Sequence, residues 1–189
     1  MSERFMFHNY EKYKNVVSIL LERHNDSLQK QVTFVKDSQT EDNITYYELI
    51  NDAKKLLSYI QAKGIKKGDE LIIQLEDNRR FLTAFTACLL GNIIAVPLVT
   101  GTQDEHKRKV KNVWAKMKSP YLLGDQEVLK KLELFFLDTY PADSKWWKNI
   151  QDSIYEWPST IHEMADAEID ENAIPNDIAY LQFSSGSTG

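Results

Sequence analysis

Apolar residues recur at helical spacing in the first third of the chain, in two segments separated by a short strand-like run. The first helix is expected around Val16, with Asn9 as a candidate cap residue. A second helix is expected to begin at Thr45, because Thr45 and Glu48 have the spacing of a capping box. Gly64 is placed to end this helix, since glycine readily adopts the left-handed conformation that follows many helices.

Three more helices are predicted downstream. Residues 78–90 carry apolar side chains at helical spacing and stop before a glycine. Residues 104–118 repeat the pattern, and Thr102 and Glu105 have the spacing of a second capping box. Residues 125–132 form the last and shortest of these segments.

Short, nearly continuous apolar runs between the helices predict strands covered on both faces. Strands that alternate with helices in this way are typical of crossover units on a parallel sheet. The expected fold class is therefore α/β, with a mainly parallel sheet flanked by helices on both faces. The predicted strands are residues 32–35, 70–75, 93–96, 121–123, 134–137 and 178–183, and a polar turn is expected over residues 38–43.

The regular pattern weakens after residue 137, where three prolines and an acidic stretch occur. Residues 138–177 are interpreted as an irregular surface connector with one short helix. The sequence thus predicts an α/β core over residues 1–137, this connector, and a final strand and loop over residues 178–189.

Composition excludes several functional classes. Of 189 residues, 42% are hydrophobic, which is enough to bury a core, and the net charge of −5 argues against a nucleic-acid partner. Gly91 and Pro97 interrupt the most apolar stretch, residues 81–99, so no membrane insertion is expected. Cys88 is the single cysteine, which fits a reducing compartment and predicts a cytoplasmic location.

The last six residues are the most informative part of the sequence. A predicted strand runs directly into a turn rich in glycine and hydroxyl side chains, which can present several donors to one oxyanion. This arrangement suits a polyphosphate, but the same composition also occurs in flexible linkers. It is not a Walker A loop, which needs a lysine. The candidate phosphate-binding residues are Ser184, Ser185, Gly186, Ser187, Thr188 and Gly189.

Residues 177–189 resemble the phosphate-loop motif of the adenylate-forming superfamily, which includes acyl-CoA synthetases, adenylation domains of nonribosomal peptide synthetases, and luciferases. Residues 44–56 are similar to the first core motif of that superfamily. Residues 64–69 and 87–98 resemble the following segment and the second motif, in the expected order. In amino-acid sequence, residues 94–98 and 181–189 look closest to fatty-acyl-AMP ligases and to acyl-ligase modules of polyketide/peptide synthases.

The resemblance implies a ligase that uses ATP and Mg²⁺ to activate a carboxylic acid, expected to be a fatty or other acyl acid, as an acyl-adenylate. Residues 184–189 would hold the phosphates, and a carrier-protein phosphopantetheine thiol would accept the acyl group. Two alternatives stay open: an amino-acid adenylation domain, or a non-catalytic binding or docking domain that kept the fold. No catalytic residue is assigned, because the adenine pocket and the catalytic lysine lie beyond residue 189 in the family. The chain alone is therefore expected to be an inactive part of a longer enzyme.

Other conspicuous residues have simpler interpretations. The basic segment 106–118 is interpreted as the solvated face of a helix whose apolar face is core. The four histidines are too scattered for a metal site, so no metal ligand is predicted. Cys88 is expected to be a small buried hydrophobe, and the Trp146–Trp147 pair to pack over the sheet.

Overall fold

A computed structural model describes residues 13–26, 30–36, 40–139, 141–174 and 176–183, and these form an α/β fold. The helices are α1 (Val16–Asp26), α2 (Tyr46–Ala62), α3 (Asn78–Leu90), α4 (Asp104–Trp114), α5 (Gln126–Thr139) and α6 (Pro141–Asn149). The strands are β1 (Gln31–Val35), β2 (Glu41–Thr45), β3 (Glu70–Gln74), β4 (Ile94–Pro97), β5 (Pro120–Gly124) and β6 (Ile154–Glu156).

The main sheet has four strands in the order β4-β3-β5-β6, and every neighbouring pair is parallel. All five residues of the central strand β3 are buried. Leu71 and Ile73 pack into a core formed with α1, α2 and α3, whereas Ile72 packs into a second core with α4, α5 and α6. Because successive strand residues point to opposite faces, this division confirms the prediction of helices on both faces of a parallel sheet.

Local signals set the bounds of α2 as predicted. The hydroxyl oxygen of Thr45 accepts a hydrogen bond from the backbone N–H of Glu48 at 3.1 Å. In return, the Glu48 carboxylate accepts from the backbone N–H of Thr45 at 2.9 Å. Gly64 follows the helix with a φ of +87°, which confirms its predicted role.

Two predicted helix caps need correction. The prediction of a capping box at Thr102 and Glu105 is wrong, because α4 begins after Gln103 without any side-chain cap bond. Asn9 lies outside the described residues. The first helix is instead capped by Asn15, whose side-chain oxygen accepts from the backbone N–H of Ser18 at 2.9 Å.

The predicted strand over residues 134–137 is also wrong, because α5 continues through this segment to Thr139. Val128, Leu132 and Phe136 are buried at a spacing of four residues, which is the helical period. In a strand, Leu134 would share a face with Phe136, but Leu134 is 53% exposed while Phe136 is fully buried.

Two strands were not predicted. Residues 41–43, expected in a turn, belong to β2, which pairs antiparallel with β1 in a separate hairpin. Within the predicted connector, β6 adds a fourth parallel strand to the main sheet. Trp147 of α6 is buried in the second core, and its ring stacks on Phe136 with centroids 5.3 Å apart. This confirms packing of the tryptophan pair over the sheet, whereas the three-part division of the chain stays a prediction.

The last predicted strand, residues 178–183, is only partly formed in the described part of the chain. It joins the sheet through one parallel bridge between Tyr180 and Ala95 of β4. Tyr180 is 50% exposed and Ile178 is 55% exposed, so this stretch is not the fully buried strand that its composition indicated.

Candidate functional site

The carboxyl ends of the parallel strands meet along one edge of the main sheet. In open α/β sheets, ligands bind outside this edge, in the loops that follow the strands. Here the edge gathers the loops after β3, β4, β5 and β6. Beyond β4, the residues after Tyr180 run in the same direction, so Phe183 ends at this edge as well.

Hydrogen bonds between the loops make this edge a connected rim. The Gln74 side chain, which is 2% exposed, donates to the Leu98 carbonyl at 2.9 Å and joins the end of β3 to the loop after β4. Asp125, just after β5, accepts from the backbone N–H of Glu76 at 2.8 Å. The same carboxylate pairs with the Arg80 guanidinium of α3 at 2.6 Å. Polar side chains therefore connect the loops that follow β3, β4 and β5.

Backbone and side-chain bonds hold the approach to residue 184. Ala95 donates to the carbonyl of Ala179 at 3.1 Å, and Leu181 donates to the carbonyl of Ala95 at 2.8 Å. The Lys109 ammonium of α4 donates to the carbonyl of Phe183 at 3.0 Å. The six candidate phosphate-binding residues, Ser184 to Gly189, lie outside the described residues, so their assignment stays a prediction.

A cavity of about 480 Å³ opens beside Phe183 at this edge. Apolar side chains from the ends of β3 and β4 and from α3 contribute to its lining, and Lys109 and Glu76 supply charges. Its size is within the usual range of small-molecule sites. The lining includes Leu75, Phe81, Leu98, Val99, Lys109 and Phe183.

A polar clamp of three side chains, one before α1, one before β3 and one between α3 and β4, holds the segment before the final strand. The side chain of Asn92 donates to the Asp170 carbonyl at 2.9 Å, and that of Asn15 donates to the Ala173 carbonyl at 2.9 Å. The Lys67 ammonium lies 3.2 Å from the Asp170 carboxylate and 3.6 Å from that of Asp177. The sequence pattern does not reveal this clamp, because hydrogen-bonded partners in it are 78 to 158 positions apart.

The surroundings of Asp170 and Cys88 shift the pKa values of both groups. The backbone N–H of Asn172 and the side chain of Asn92, with a smaller effect of Lys67, lower the pKa of Asp170 to about 2, so the carboxylate of the clamp is charged. Burial raises the pKa of the Cys88 thiol to about 12, which keeps the thiol protonated and confirms it as a small buried hydrophobe. Among the described residues, no group of three or more histidine, cysteine, aspartate or glutamate side chains is arranged to hold a metal.

The basic helix α4 makes mostly internal contacts. Val110 and Val113 are fully buried in the second core. Lys107 pairs with Asp104 at 3.2 Å, and Lys111 pairs with Asp143 of α6. The described part of the chain contains no helix with the length and apolar character needed to cross a bilayer.

Comparisons with known proteins give a consistent result. Malformin synthetase mlfA from Aspergillus brasiliensis is 28% identical over 153 residues, a match that covers 77% of this chain and 2% of the synthetase. A structure of McyG A-PCP complexed with phenylalanyl-adenylate is 28% identical with a TM-score of 0.73, covering 94% of this chain and 27% of that one.

A fatty acyl-adenylate ligase from Legionella pneumophila, solved with acyl adenylate and pyrophosphate, is 25% identical with a TM-score of 0.69. That match covers 95% of this chain and 29% of the ligase. The chain thus spans less than a third of each of these relatives. The family described as AMP-binding enzyme matches residues 21–189, which is nearly the whole sequence. The chain therefore belongs to the AMP-binding enzyme family.

Proposed function

We propose that this chain is part of a ligase that activates a carboxylic acid with ATP. The carboxylate oxygen attacks the α-phosphorus, the bond to the β-phosphate oxygen breaks, and pyrophosphate leaves as the acyl-adenylate forms. The observation that carries the proposal is the parallel run of residues 179–181 beside β4. It brings Phe183, the last described residue before the glycine- and hydroxyl-rich sequence, to the edge of the sheet where α/β proteins bind ligands, which supports a phosphate site in the residues that follow.

In this proposal, Ser184, Ser185, Gly186, Ser187, Thr188 and Gly189 hold the β- and γ-phosphates and then the departing pyrophosphate. Hydroxyl and backbone N–H donors at fixed positions stabilise the charge that develops on this leaving group. Mg²⁺ would arrive bound to the phosphates of ATP, since this ion is commonly held by substrate phosphates and one or two carboxylates. No residue of the chain is given a nucleophilic or acid–base role.

The acid is proposed to be a fatty or other acyl acid. Two observations support this: the amino-acid sequence of residues 94–98 and 181–189, and the likeness to a fatty acyl-adenylate ligase. The likeness to malformin synthetase and to a phenylalanyl-adenylate complex supports an amino-acid adenylation domain as the second candidate. These relatives do not separate the two, because their identities to this chain are nearly equal.

The proposed acceptor is the phosphopantetheine thiol of a carrier protein, as in polyketide and nonribosomal peptide biosynthesis. The likeness to the McyG A-PCP structure supports this proposal.

A cytoplasmic location is proposed because the single cysteine is buried and reduced cysteines are usual in that compartment. We also propose the division into a core of residues 1–137, a connector of residues 138–177 and a terminal strand and loop. These 189 residues alone are proposed to be inactive, since they hold a small share of the relatives' length.

The test is carboxylate-dependent exchange of labelled pyrophosphate into ATP by the full-length protein that contains this chain. A panel of fatty acids of increasing length is run beside a panel of amino acids. Exchange with fatty acids alone supports the acyl proposal, whereas exchange with amino acids alone assigns the second candidate. If no acid supports exchange and the protein still binds a carrier protein, it is a non-catalytic docking domain.

A further inference from the structure

We infer that Lys109 is a positioning residue for the phosphate-binding loop and supplies positive charge beside the leaving pyrophosphate. The inference rests on the proposed function and adds a residue to its site that lies outside the glycine- and serine-rich motif. Lys109 belongs to α4, about 75 residues before that motif, and its ammonium donates to the carbonyl of Phe183, directly before Ser184.

Lys109 lies on a helix that is firmly packed into the second core. Val110 and Val113, which follow it along α4, are fully buried in the second core. Lys109 is half-buried on this anchored helix and contributes to the lining of the 480 Å³ cavity beside Phe183. Its ammonium therefore has a fixed starting point from which to hold the chain at Phe183.

Leu181 and Phe183 pack against the second core, and polar bonds fix the backbone of this stretch at few points. In the described residues, the stretch from 178 to 183 joins β4 through a single bridge at Tyr180. Phe183 lies three positions after that bridge. The bond from Lys109 at 3.0 Å is thus a fixation point between the bridge and the loop. Without it, the loop would start from a less restricted position and would hold the phosphates less precisely.

Lys109 differs from the neighbouring lysines of α4 in its charge partners. Lys107 and Lys111 on the same helix each pair with a carboxylate, Asp104 and Asp143 respectively. No carboxylate in the described part of the chain lies within ion-pair distance of Lys109. An ammonium group has three donors, and the Phe183 carbonyl takes one of them. Among the described residues, Lys109 therefore has no carboxylate partner at the point where the proposed polyphosphate site begins, and its positive charge favours an anion there.

The experiment compares Lys109→Met, Lys109→Arg and the matched control Lys111→Met in the full-length protein. Methionine keeps the length of the side chain but removes its charge and donors, and Lys111→Met loses an ion pair on the same helix without touching Phe183. Steady-state pyrophosphate exchange gives KM for ATP, KM for the acid and the apparent affinity for pyrophosphate. Amide hydrogen exchange over residues 178–189 follows the loop itself.

We expect Lys109→Met to raise KM for ATP and to weaken pyrophosphate binding by about 10- to 100-fold, the effect of losing one hydrogen bond from a charged donor. KM for the acid should stay near the wild-type value. Lys109→Arg should recover most of the loss, and Lys111→Met should behave as wild type in these constants. The amides of residues 178–189 should exchange faster in Lys109→Met alone.

The inference is overturned if Lys109→Met leaves KM for ATP and pyrophosphate affinity within about twofold of wild type, or if Lys111→Met gives the same losses. It is also overturned if KM for the acid rises as much as KM for ATP, because the lysine would then act only through general stability. Failure of the proposed function looks different, since the wild-type protein would then show no carboxylate-dependent exchange. In that case the hydrogen-exchange comparison still decides whether Lys109 fixes the loop.

Discussion

Gln74 offers a sharp test of how the rim of the candidate site is held together. Its side-chain amide is almost completely buried and donates to the carbonyl of Leu98 at 2.9 Å. We propose the substitution Gln74→Met, which keeps the approximate shape of the side chain and removes its donor. The Leu98 carbonyl would then lose its partner in a place that water reaches poorly.

The expected cost follows from this geometry. Leaving a buried carbonyl unsatisfied costs about 1–3 kcal/mol of the free energy of unfolding. For a domain of this size, each kcal/mol lowers Tm by about 2–4 °C, so a loss of 2 kcal/mol corresponds to about 4–8 °C. The effect should also reach the site, because Leu98 contributes to the lining of the cavity beside Phe183.

The assay is urea unfolding of the 189-residue chain followed by circular dichroism, with thermal melting as a second probe. Gln151→Met is the matched control, because its side-chain amide also donates to a backbone carbonyl, that of Trp147, at 3.0 Å. Gln151 is exposed, so water replaces the lost bond and the change should stay within about 0.5 kcal/mol. The reasoning is refuted if Gln74→Met also stays within that limit, or if both variants lose the same free energy.

Two further predictions concern the elements that support the site. Thr45→Ala removes the acceptor for the Glu48 backbone N–H and should lower the free energy of unfolding by about 0.5–2 kcal/mol in urea titrations. Thr45→Ser keeps the hydroxyl and should be nearly neutral. Equal losses in both variants would contradict a capping role. Asp170 has a pKa of about 2 in the folded chain instead of 3.8, so its stabilising effect is complete above pH 3.8 and is lost as the pH falls towards 2. The Tm difference between wild type and Asp170→Asn should therefore be constant from pH 5 to 7 and shrink below about pH 4, and a difference independent of pH would exclude a stabilising role for the Asp170 charge.

Local signals in the sequence were enough to predict much of the fold. The capping box of Thr45 and Glu48 predicted where α2 begins, and Gly64 predicted where it ends. The uninterrupted apolar run of β3 indicated a strand covered on both faces, and α2 and α4 cover opposite faces of the sheet. Each of these features depends on residues close together in the chain, which is why the pattern alone predicted them.

The errors have a common physical origin in tertiary packing. Residues 134–137 are apolar enough for a strand, but Phe136 fits the second core only as a continuation of the helical face begun at Val128. The three residues of β6 are too few to give a periodic signal, and pairing with β5 makes them a strand. Spacing suggested a cap at Thr102, yet the helix begins after Gln103.

The candidate site divides in the same way. Its identifying motif is contiguous, so the sequence pointed to residues 184–189 and to a family that the comparisons confirm. The contacts of Gln74 with Leu98 and of Lys109 with Phe183 join residues 24 and 74 positions apart. Such partners become evident only once the strands are placed side by side, and no local signal marks them.

We propose that the full-length protein forms an acyl-adenylate and that residues 184–189 hold the phosphates of ATP. The most direct measurement is carboxylate-dependent pyrophosphate exchange by the full-length protein, compared with its Thr188→Val variant. Valine has nearly the shape of threonine but lacks the hydroxyl donor. We predict exchange in the wild type with at least one acid and a loss of about 10-fold or more in the variant. Absence of exchange with every acid, or equal exchange in both proteins, would contradict the account.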